Sequence, residues 1–249
     1  MSDWPDLGAR FGRVPAWRYR LRRFFRVRRT TIDGFRVLAY RSDIPKHVSS
    51  LLVRGDYEAA ERSAISALLM RNDRVLEIGS CVGIVALNAA RIVGDDNVLC
   101  YEPNPAAAAV AAENFAANGF HIALRHRAVA ATAGELKLAI AAGSWLGSST
   151  RRSFAEGRTL AVAADAIGTV MDTFAPSVVV IDAEGMEGEI LRSLRFAALR
   201  AIVVEFHSDV LGAAECDALR RLVGAHGFAL QRSLSAAATE VWVRGKNPL

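Results

Sequence analysis

The chain has 249 residues, of which 52% are hydrophobic, and its formal net charge is +5. This apolar content is sufficient for a buried core and excludes a globally disordered chain. Three widely separated cysteines exclude a disulfide framework and a zinc site, and no uncharged apolar run reaches the roughly 18 residues of a membrane helix. With no signal peptide evident, we predict a soluble cytoplasmic protein.

The positive charge is concentrated near the N-terminus, where residues 10–29 contain nine arginines, interleaved aromatic residues and no acid. Such a segment would attract phosphates, an anionic lipid surface or an acidic substrate. In the alternative interpretation, the aromatic side chains pack on the domain while the arginines stay in water. We assign residues 1–50 to this basic arm and a short hairpin, with its turn at Asp33-Gly34, and residues 51–249 to the main domain.

Beyond a predicted helix at 56–70, buried apolar strands alternate with helices. The predicted strands cover residues 74–79, 97–102, 121–131, 177–185 and 200–207, with further strands on both sides of a polar loop at 143–157. The predicted helices between them begin at Ile84, Pro105, Met186 and Ala213. This alternation predicts an α/β fold: a doubly wound, mainly parallel seven-stranded sheet with a C-terminal antiparallel strand pair.

Ligands of such sheets bind beyond the carboxyl ends of the strands, so the residues that follow each strand are the candidates for function. The first strand is followed by two glycines four residues apart. Their spacing matches neither the dinucleotide-binding fingerprint nor the sequence pattern of a phosphate-binding loop. We expect the carboxylate of Glu77 to point into the crevice, where it would repel a phosphate and attract a cationic amino acid group. These features favour S-adenosylmethionine, held by Glu77, Gly79, Ser80, Cys81 and Gly83.

The second and third strand ends complete the predicted cofactor site. Glu102, followed by Pro103 and Asn104, is placed to accept hydrogen bonds from both ribose hydroxyls. Ala128 and Val129 provide an apolar edge for the adenine ring. Gly83 is expected to let the following helix approach the ligand without a Cβ atom in the way.

The fourth strand ends in a run of acids. Asp182 and Glu184 lie on the same side of an extended chain, so both can face a cleft, where they would bind a metal or act as a general base. Some of these acids can instead cap the next helix. We expect Asp182 to be functional and Glu189 to be structural, and we assign no metal.

The fifth strand ends in Glu205 and His207. A histidine titrates near neutral pH, and this one follows a strand at the edge where substrate chemistry is expected. We therefore predict His207 and Asp182 as the catalytic residues, with either one taking a proton from the substrate.

The motifs VLEIGSCVGIVAL, YEPNP, IDAEGMEGEIL and VVEFH, with LLVRGDYEAAE upstream, resemble the FkbM family of S-adenosylmethionine-dependent methyltransferases. The resemblance covers about residues 50–207, and the segment from Asp182 to Glu187 is its most specific part. Ser80 and Cys81 stand where family members typically carry Ala and Asn. The resemblance implies a class I methyltransferase with a Rossmann-like fold, S-adenosylmethionine as cofactor, and a hydroxyl acceptor on a natural product, sugar or glycan.

The same resemblance places several residues near the cofactor or acceptor. Our assignment for acceptor binding is Tyr57, Glu61, Glu184, Glu187 and Glu205, while the loop at 143–157 and the basic arm would set acceptor specificity.

Two other functions stay open at this point. One is a nicotinamide-dependent oxidoreductase. Cys81 and Ile84 argue against it, because they occupy positions where the dinucleotide fingerprint has glycines. The other is a methyltransferase-like binding or scaffold protein without turnover. We do not expect nucleic-acid methylation, because the sequence has no Asn/Asp-Pro-Pro-aromatic signature and its basic residues are concentrated in one arm.

Overall fold

The computed structural model describes residues 14–145, 156–236 and 238–245. The first residues of the predicted basic arm, 1–13, lie outside these ranges, and so do residues 146–155 of the predicted specificity loop.

The described residues form helices and strands that alternate along most of the chain. The helices are α1 (Ala16–Phe24), α2 (Lys46–Arg54), α3 (Ala59–Leu68), α4 (Ile84–Val93), α5 (Pro105–Ala117), α6 (Ile167–Phe174), α7 (Glu187–Ser193), α8 (Ser208–Leu211) and α9 (Ala213–Ala225). The strands are β1 (Arg29–Ile32), β2 (Phe35–Leu38), β3 (Val75–Ile78), β4 (Val98–Tyr101), β5 (Ala123–Arg125), β6 (Ala128–Ala130), β7 (Gly134–Ala141), β8 (Gly157–Ala166), β9 (Val178–Ile181), β10 (Ala201–Glu205), β11 (Phe228–Leu230) and β12 (Thr239–Arg244).

Seven of these strands form the central sheet, in the order β11-β12-β10-β9-β3-β4-β5. The pairs from β10 to β5 are parallel, while β12 is antiparallel to both β10 and β11. The predicted fold class is confirmed. Because the chain winds outward from β3 in both directions, the strand order reverses between β3 and β9, which is where ligands of open α/β sheets bind.

Residues 121–131 form two strands rather than the single one predicted. The backbone N–H of Arg127 donates to the carbonyl oxygen of Arg125 (2.9 Å), and this tight turn ends β5. The chain then leaves the central sheet, and β6 joins the hairpin β7–β8 in a separate three-stranded sheet of order β6-β8-β7.

The two faces of the central sheet contact different apolar cores. Val75 of β3 packs with residues of α2, α3, α4 and α5. Leu76 and Ile78 face the opposite side, where α6, α7, α9 and the three-stranded sheet complete the second core. This alternation along β3 decides which of its side chains can reach a site at the strand end.

The N-terminal region is more regular than predicted. The hairpin β1–β2 is confirmed, with Asp33 and Gly34 in its turn. Residues of the basic arm form α1, and α2 had no counterpart in the prediction, so the predicted boundary at residue 50 falls inside α2. Among the described residues, no helix combines the length and apolar character needed to cross a membrane.

Candidate active site

A pocket opens at the carboxyl ends of β3, β4 and β9, where the strand order reverses. It has an empty volume of about 750 Å³, part of it open to solvent. Most of the predicted site residues line it, namely Tyr57, Gly79, Cys81, Glu102, Pro103, Asn104, Ala128, Val129, Asp182 and Glu184.

Glu102 links the segments that follow β3 and β4 through hydrogen bonds. Its carboxylate accepts hydrogen bonds from the backbone N–H groups of Cys81 (2.8 Å) and Asn104 (2.7 Å). Burial raises the pKa of Glu102 to about 7, against the opposing effect of these two bonds. Each carboxylate oxygen keeps a further lone pair that a ligand hydroxyl can use.

The glycine turn after β3 packs directly on the end of β9. Gly79 has a φ of +91°, and a Cβ atom there would overlap the backbone carbonyl oxygen of Asp182. Glycine at this position therefore sets the distance between the β3 turn and Asp182. Gly83 serves packing too: a Cβ on it would overlap the ring of Phe115 in α5, so glycine at this position allows α4 and α5 to approach each other closely.

The structure places Glu77 away from the pocket, contrary to the orientation expected from the sequence. Ile78 lines the pocket, and the side chain of Glu77 points to the other face of β3, where it is 2% exposed and accepts a hydrogen bond from Cys100 Sγ (3.4 Å). Burial raises the pKa of Glu77 to about 8. The prediction overlooked the alternation of side chains along the strand.

His207 lies at the centre of a cluster of carboxylates beside the pocket. Its Nδ1 donates to Glu187 Oε1 (2.7 Å), and its Nε2 lies 3.3 Å from Glu184 Oε2 and 3.6 Å from Asp182 Oδ1. Ligand atoms of Asp182, Glu205 and His207 lie within 4.8 Å of one another, a spacing that would also admit a divalent cation. The ends of β9 and β10 thus bring together the predicted catalytic residues.

The surroundings of His207 determine its charge. Burial lowers its pKa, but the hydrogen bond to Glu187 and the charges of Glu184, Glu187 and Glu205 prevail and raise it to about 9. His207 is therefore an imidazolium at neutral pH and has no free lone pair with which to accept a proton.

The neighbouring carboxyl groups are shifted towards the neutral form. Burial, followed by the charges of Glu205 and Glu184, raises the pKa of Asp182 well above its usual range. Burial and the charge of Glu61 raise the pKa of Glu205 to about 7. A carboxylate with a raised pKa is a stronger base than an ordinary one, which favours Asp182 over His207 as proton acceptor.

Four other predicted site residues are buried outside the pocket lining. Glu61 accepts a hydrogen bond from the hydroxyl of Thr239. Glu187 is fully buried and accepts the N–H of Gly185 (3.0 Å) as well as that of His207. Ser80 is buried without a hydrogen-bond partner among the described residues, and Gly83 contacts α5. Their predicted roles in binding stay predictions.

Sequence reasoning missed the apolar part of the pocket wall. Tyr101, Leu136, Leu138, Trp145 and Met186 also line the pocket. The two leucines alternate with polar residues along β7, a period-two pattern that identifies one face of a strand but not what that face covers. Trp145 belongs to the polar loop predicted to set specificity.

The pocket fits S-adenosylmethionine on two observations. Asp182 Oδ1 and Asn104 Nδ2 are buried and have no hydrogen-bond partner among the described residues. Ala128 and Val129 are apolar, and both line the same pocket as Asp182 and Asn104. An amphipathic ligand with an ammonium group, ribose hydroxyls and a flat aromatic ring supplies the missing partners and covers the apolar wall.

Comparison with protein-family models identifies the family of the chain. The family model described as the methyltransferase FkbM domain matches residues 77–230, which include the carboxylate cluster around His207 and the pocket-lining residues other than Tyr57. No curated protein sequence matches the chain significantly.

Solved structures with a similar chain path include a precorrin-6y C5,15-methyltransferase from Geobacter metallireducens (13% identity, 76% of this chain and 88% of that chain, TM-score 0.45). Others are an O-methyltransferase from Bacillus cereus in complex with SAH (14%, 74% and 80%, 0.44) and a putative RNA methyltransferase from Pyrococcus horikoshii (12%, 76% and 81%, 0.42). Likenesses at this level indicate nothing about the acceptor.

Proposed function

Since the chain belongs to the FkbM methyltransferase family and its cofactor is S-adenosylmethionine, we propose that it methylates a hydroxyl oxygen of a small molecule, natural product or sugar. The observation that carries this proposal is the position of Asp182. Its carboxyl group lines the pocket, has a raised pKa and lies beside a positively charged histidine. A hydroxyl acceptor needs such a base, because its proton must leave as the oxygen is methylated.

We assign the cofactor to the part of the pocket between β3, β4 and β6. Glu102 would accept the ribose hydroxyls, and Ala128 and Val129 would contact the adenine ring. When bound, S-adenosylmethionine supplies an electrophilic methyl carbon on a positively charged sulfur. The protein's main task is then to hold the acceptor oxygen in line with that carbon.

Asp182 is the proposed general base, and His207 is a positioning residue that acts through it. In its ionised form, Asp182 accepts the hydroxyl proton while the new carbon–oxygen bond forms. The imidazolium of His207, held by Glu187, lies 3.6 Å from Asp182 Oδ1 and stabilises the ionised carboxylate that must be present before each turnover. Tyr57 and Trp145, both largely buried in the wall, restrict the entry of water.

The first experiment is calorimetric titration of the folded protein with S-adenosylhomocysteine, followed by a panel of hydroxylated small molecules and sugars with S-adenosylmethionine. The expected product carries one added methyl group, located on oxygen by NMR. A folded sample that binds no S-adenosylhomocysteine would contradict the proposal, and so would a product methylated on carbon or nitrogen.

The second experiment replaces the proposed base. Asp182→Asn retains the side-chain shape and the backbone carbonyl that packs on Gly79, and we expect it to lower kcat by about a hundredfold to ten-thousandfold. Affinity for S-adenosylhomocysteine should change much less. Asp172→Asn, on the exposed face of α6, is the matched control and should leave kcat unchanged. An unaltered kcat in Asp182→Asn excludes Asp182 as the base.

A further inference from the structure

The helix α1 presents an apolar stripe to solvent. Trp17, Leu21, Phe24 and Phe25 follow the spacing i, i+4, i+7, i+8, which places them on one side of a helix and its C-terminal cap. Their exposed fractions are 62%, 49%, 80% and 70%. A surface helix of a globular protein normally turns such a stripe towards the core.

The polar side of α1 attaches it to the rest of the protein. The hydroxyls of Tyr19 and Ser50 share a hydrogen bond (2.9 Å), and Arg22 Nη1 donates to Thr30 Oγ1 (2.8 Å). Tyr19 and Arg22 lie opposite the apolar stripe on the helix circumference. Their contacts therefore fix α1 with the stripe outward. The aromatic residues at 17, 24 and 25 do not pack on the domain, which corrects that interpretation of the arm.

Exposure of large apolar side chains is concentrated here. Among the described residues, the only other strongly exposed one is Met70. Single exposed apolar residues are ordinary, whereas a contiguous group bordered by charge marks an interaction surface.

A basic groove, lined in part by Arg20, Arg23, Arg26, Arg41 and Lys46, borders the stripe and includes Phe24 itself. Arg41 is neutralised by ion pairs with acidic side chains. For the other four, no ion pair with a carboxylate forms within the described part of the chain. The groove thus offers several uncompensated positive charges next to exposed aromatic rings, a combination complementary to an anionic interface.

We propose that α1 and the basic groove dock the protein on the surface of an anionic lipid bilayer. The aromatic stripe would enter the boundary between headgroups and acyl chains, and the arginines would contact lipid phosphates. A helix of this kind lies in the plane of the interface and does not span the membrane.

The docking surface is connected to the active pocket. His47 lines the basic groove, and its Nε2 lies 3.3 Å from the hydroxyl oxygen of Ser144. Ser144 precedes Trp145, which lines the pocket. Docking would therefore hold the pocket close to the lipid surface, where an acceptor that partitions into the interface is concentrated.

The test is sedimentation of the full chain with vesicles of phosphatidylcholine alone or phosphatidylcholine mixed with phosphatidylglycerol. We expect binding to the mixed vesicles that weakens with added salt. Arg20→Gln with Arg23→Gln should weaken that binding by about thirtyfold, from about 1 kcal/mol for each arginine near an anionic surface. The control pair is Arg71→Gln with Arg221→Gln, two exposed arginines outside the groove, and it should bind like the unmodified chain.

A second pair of variants tests the apolar stripe. Trp17→Ser with Phe24→Ser should abolish sedimentation with the mixed vesicles, whereas Met70→Ser should leave it intact. Equal binding to neutral and anionic vesicles, or unchanged binding by both double variants, overturns the proposal. Light scattering without lipid tests whether a second copy of the chain covers the stripe instead. If the unmodified chain is a dimer and Trp17→Ser with Phe24→Ser makes it a monomer, the proposal is overturned. These measurements need neither cofactor nor acceptor, so their outcome is independent of the proposed methyl transfer.

Discussion

At the scale of single residues, Glu187 determines what His207 can do. It is fully buried, and its carboxylate also accepts the N–H of Gly185, so it is fixed in place before any ligand arrives. Burial lowers the pKa of His207, but the hydrogen bond from Nδ1 to Glu187 is the largest of the influences that raise it to about 9. A histidine that resembles a base in the sequence is thereby a positively charged group at neutral pH.

This charge distribution predicts the pH dependence of turnover. The rate should rise with pH as the carboxyl pair of Asp182 and Glu205 ionises, because burial raises the pKa of both groups, that of Asp182 well above its usual range and that of Glu205 to about 7. It should fall as His207 loses its proton near pH 9. The measurement is the rate at saturating substrate across this range. If His207 were the base, the acid limb would lie near 9, and no fall would follow.

A substitution of His207 separates positioning from proton transfer. The positive charge of His207 lowers the pKa of Glu205, so His207→Gln should move the acid limb to higher pH. The maximal rate above that limb should fall far less than in Asp182→Asn. A limb that stays in place would show that His207 does not act through the carboxyl pair.

At the scale of elements, the contact between the β3 turn and β9 holds the site together. Gly79→Ala would force a Cβ atom into the carbonyl of Asp182, which is backbone and has no rotamer to change. We expect a loss of more than about 4 kcal/mol in the free energy of unfolding, or no folded protein. Urea titration measures it.

Gly34→Ala is the matched control for this substitution. Gly34 has a φ of +88°, close to the +91° of Gly79, but nothing lies within 4 Å of the added Cβ. Its cost should be the backbone strain alone, about 1–3 kcal/mol. Equal losses in the two variants would show that the packing of Gly79 on β9 contributes nothing.

Local pattern was sufficient to predict most elements of this fold. Period-two and continuous apolar runs predicted the strands of the central sheet, and α4 begins and ends where its apolar spacing predicts. The break between β5 and β6 depends on one hydrogen bond from Arg127 to Arg125, which no periodicity indicates. For α1, the pattern contains a stripe, but the direction of that stripe depends on contacts of Tyr19 and Arg22 with distant residues.

In the candidate site too, some features could be predicted from the local sequence pattern, while others depend on contacts that form only in the folded chain. Parallel strands place their ends on one edge, so Glu102, Asp182 and His207 could be grouped from the sequence alone. Strand alternation places the carboxylate of Glu77 on the far face. The charge of His207 was beyond prediction too, because it depends on Glu187, which is twenty residues away and reaches Nδ1 only in the folded chain.

At the scale of the whole molecule, the fold buries several carboxyl groups that lack a cationic partner. Burial raises the pKa of Glu77 to about 8 and that of Glu102 to about 7. Between pH 4.5, the usual pKa of such a group, and these values, the folded protein retains protons that the unfolded chain has released. Where the folded state binds more protons, stability decreases as pH rises.

The raised pKa of His207 acts in the same direction. Its contribution is complete below 6.5, the usual value, and is lost as pH rises through about 9. The pKa of Asp43 is lowered by its hydrogen bond to Arg41, and that of Asp73 is lowered because its hydrogen bonds, led by the one to Arg200, outweigh burial. Their contributions to the free energy of unfolding are therefore lost only as pH falls below about 4. The ligand-free protein should therefore be most stable between about pH 4 and about pH 4.5.

Urea titrations between about pH 5 and about pH 9 test this expectation, with a slope of about 1.4 kcal/mol per pH unit for each proton that the folded state retains. Glu77→Gln removes one titrating group while leaving an oxygen to accept from Cys100 Sγ. It should flatten the decline between pH 4.5 and 8 and stabilise the protein at the alkaline end. Glu135→Gln, on the exposed edge of β7, should follow the unmodified chain. Stability of the unmodified chain that increases from pH 5 to 8 would contradict the raised pKa values of Glu77 and Glu102, and an unchanged slope in Glu77→Gln would contradict that of Glu77.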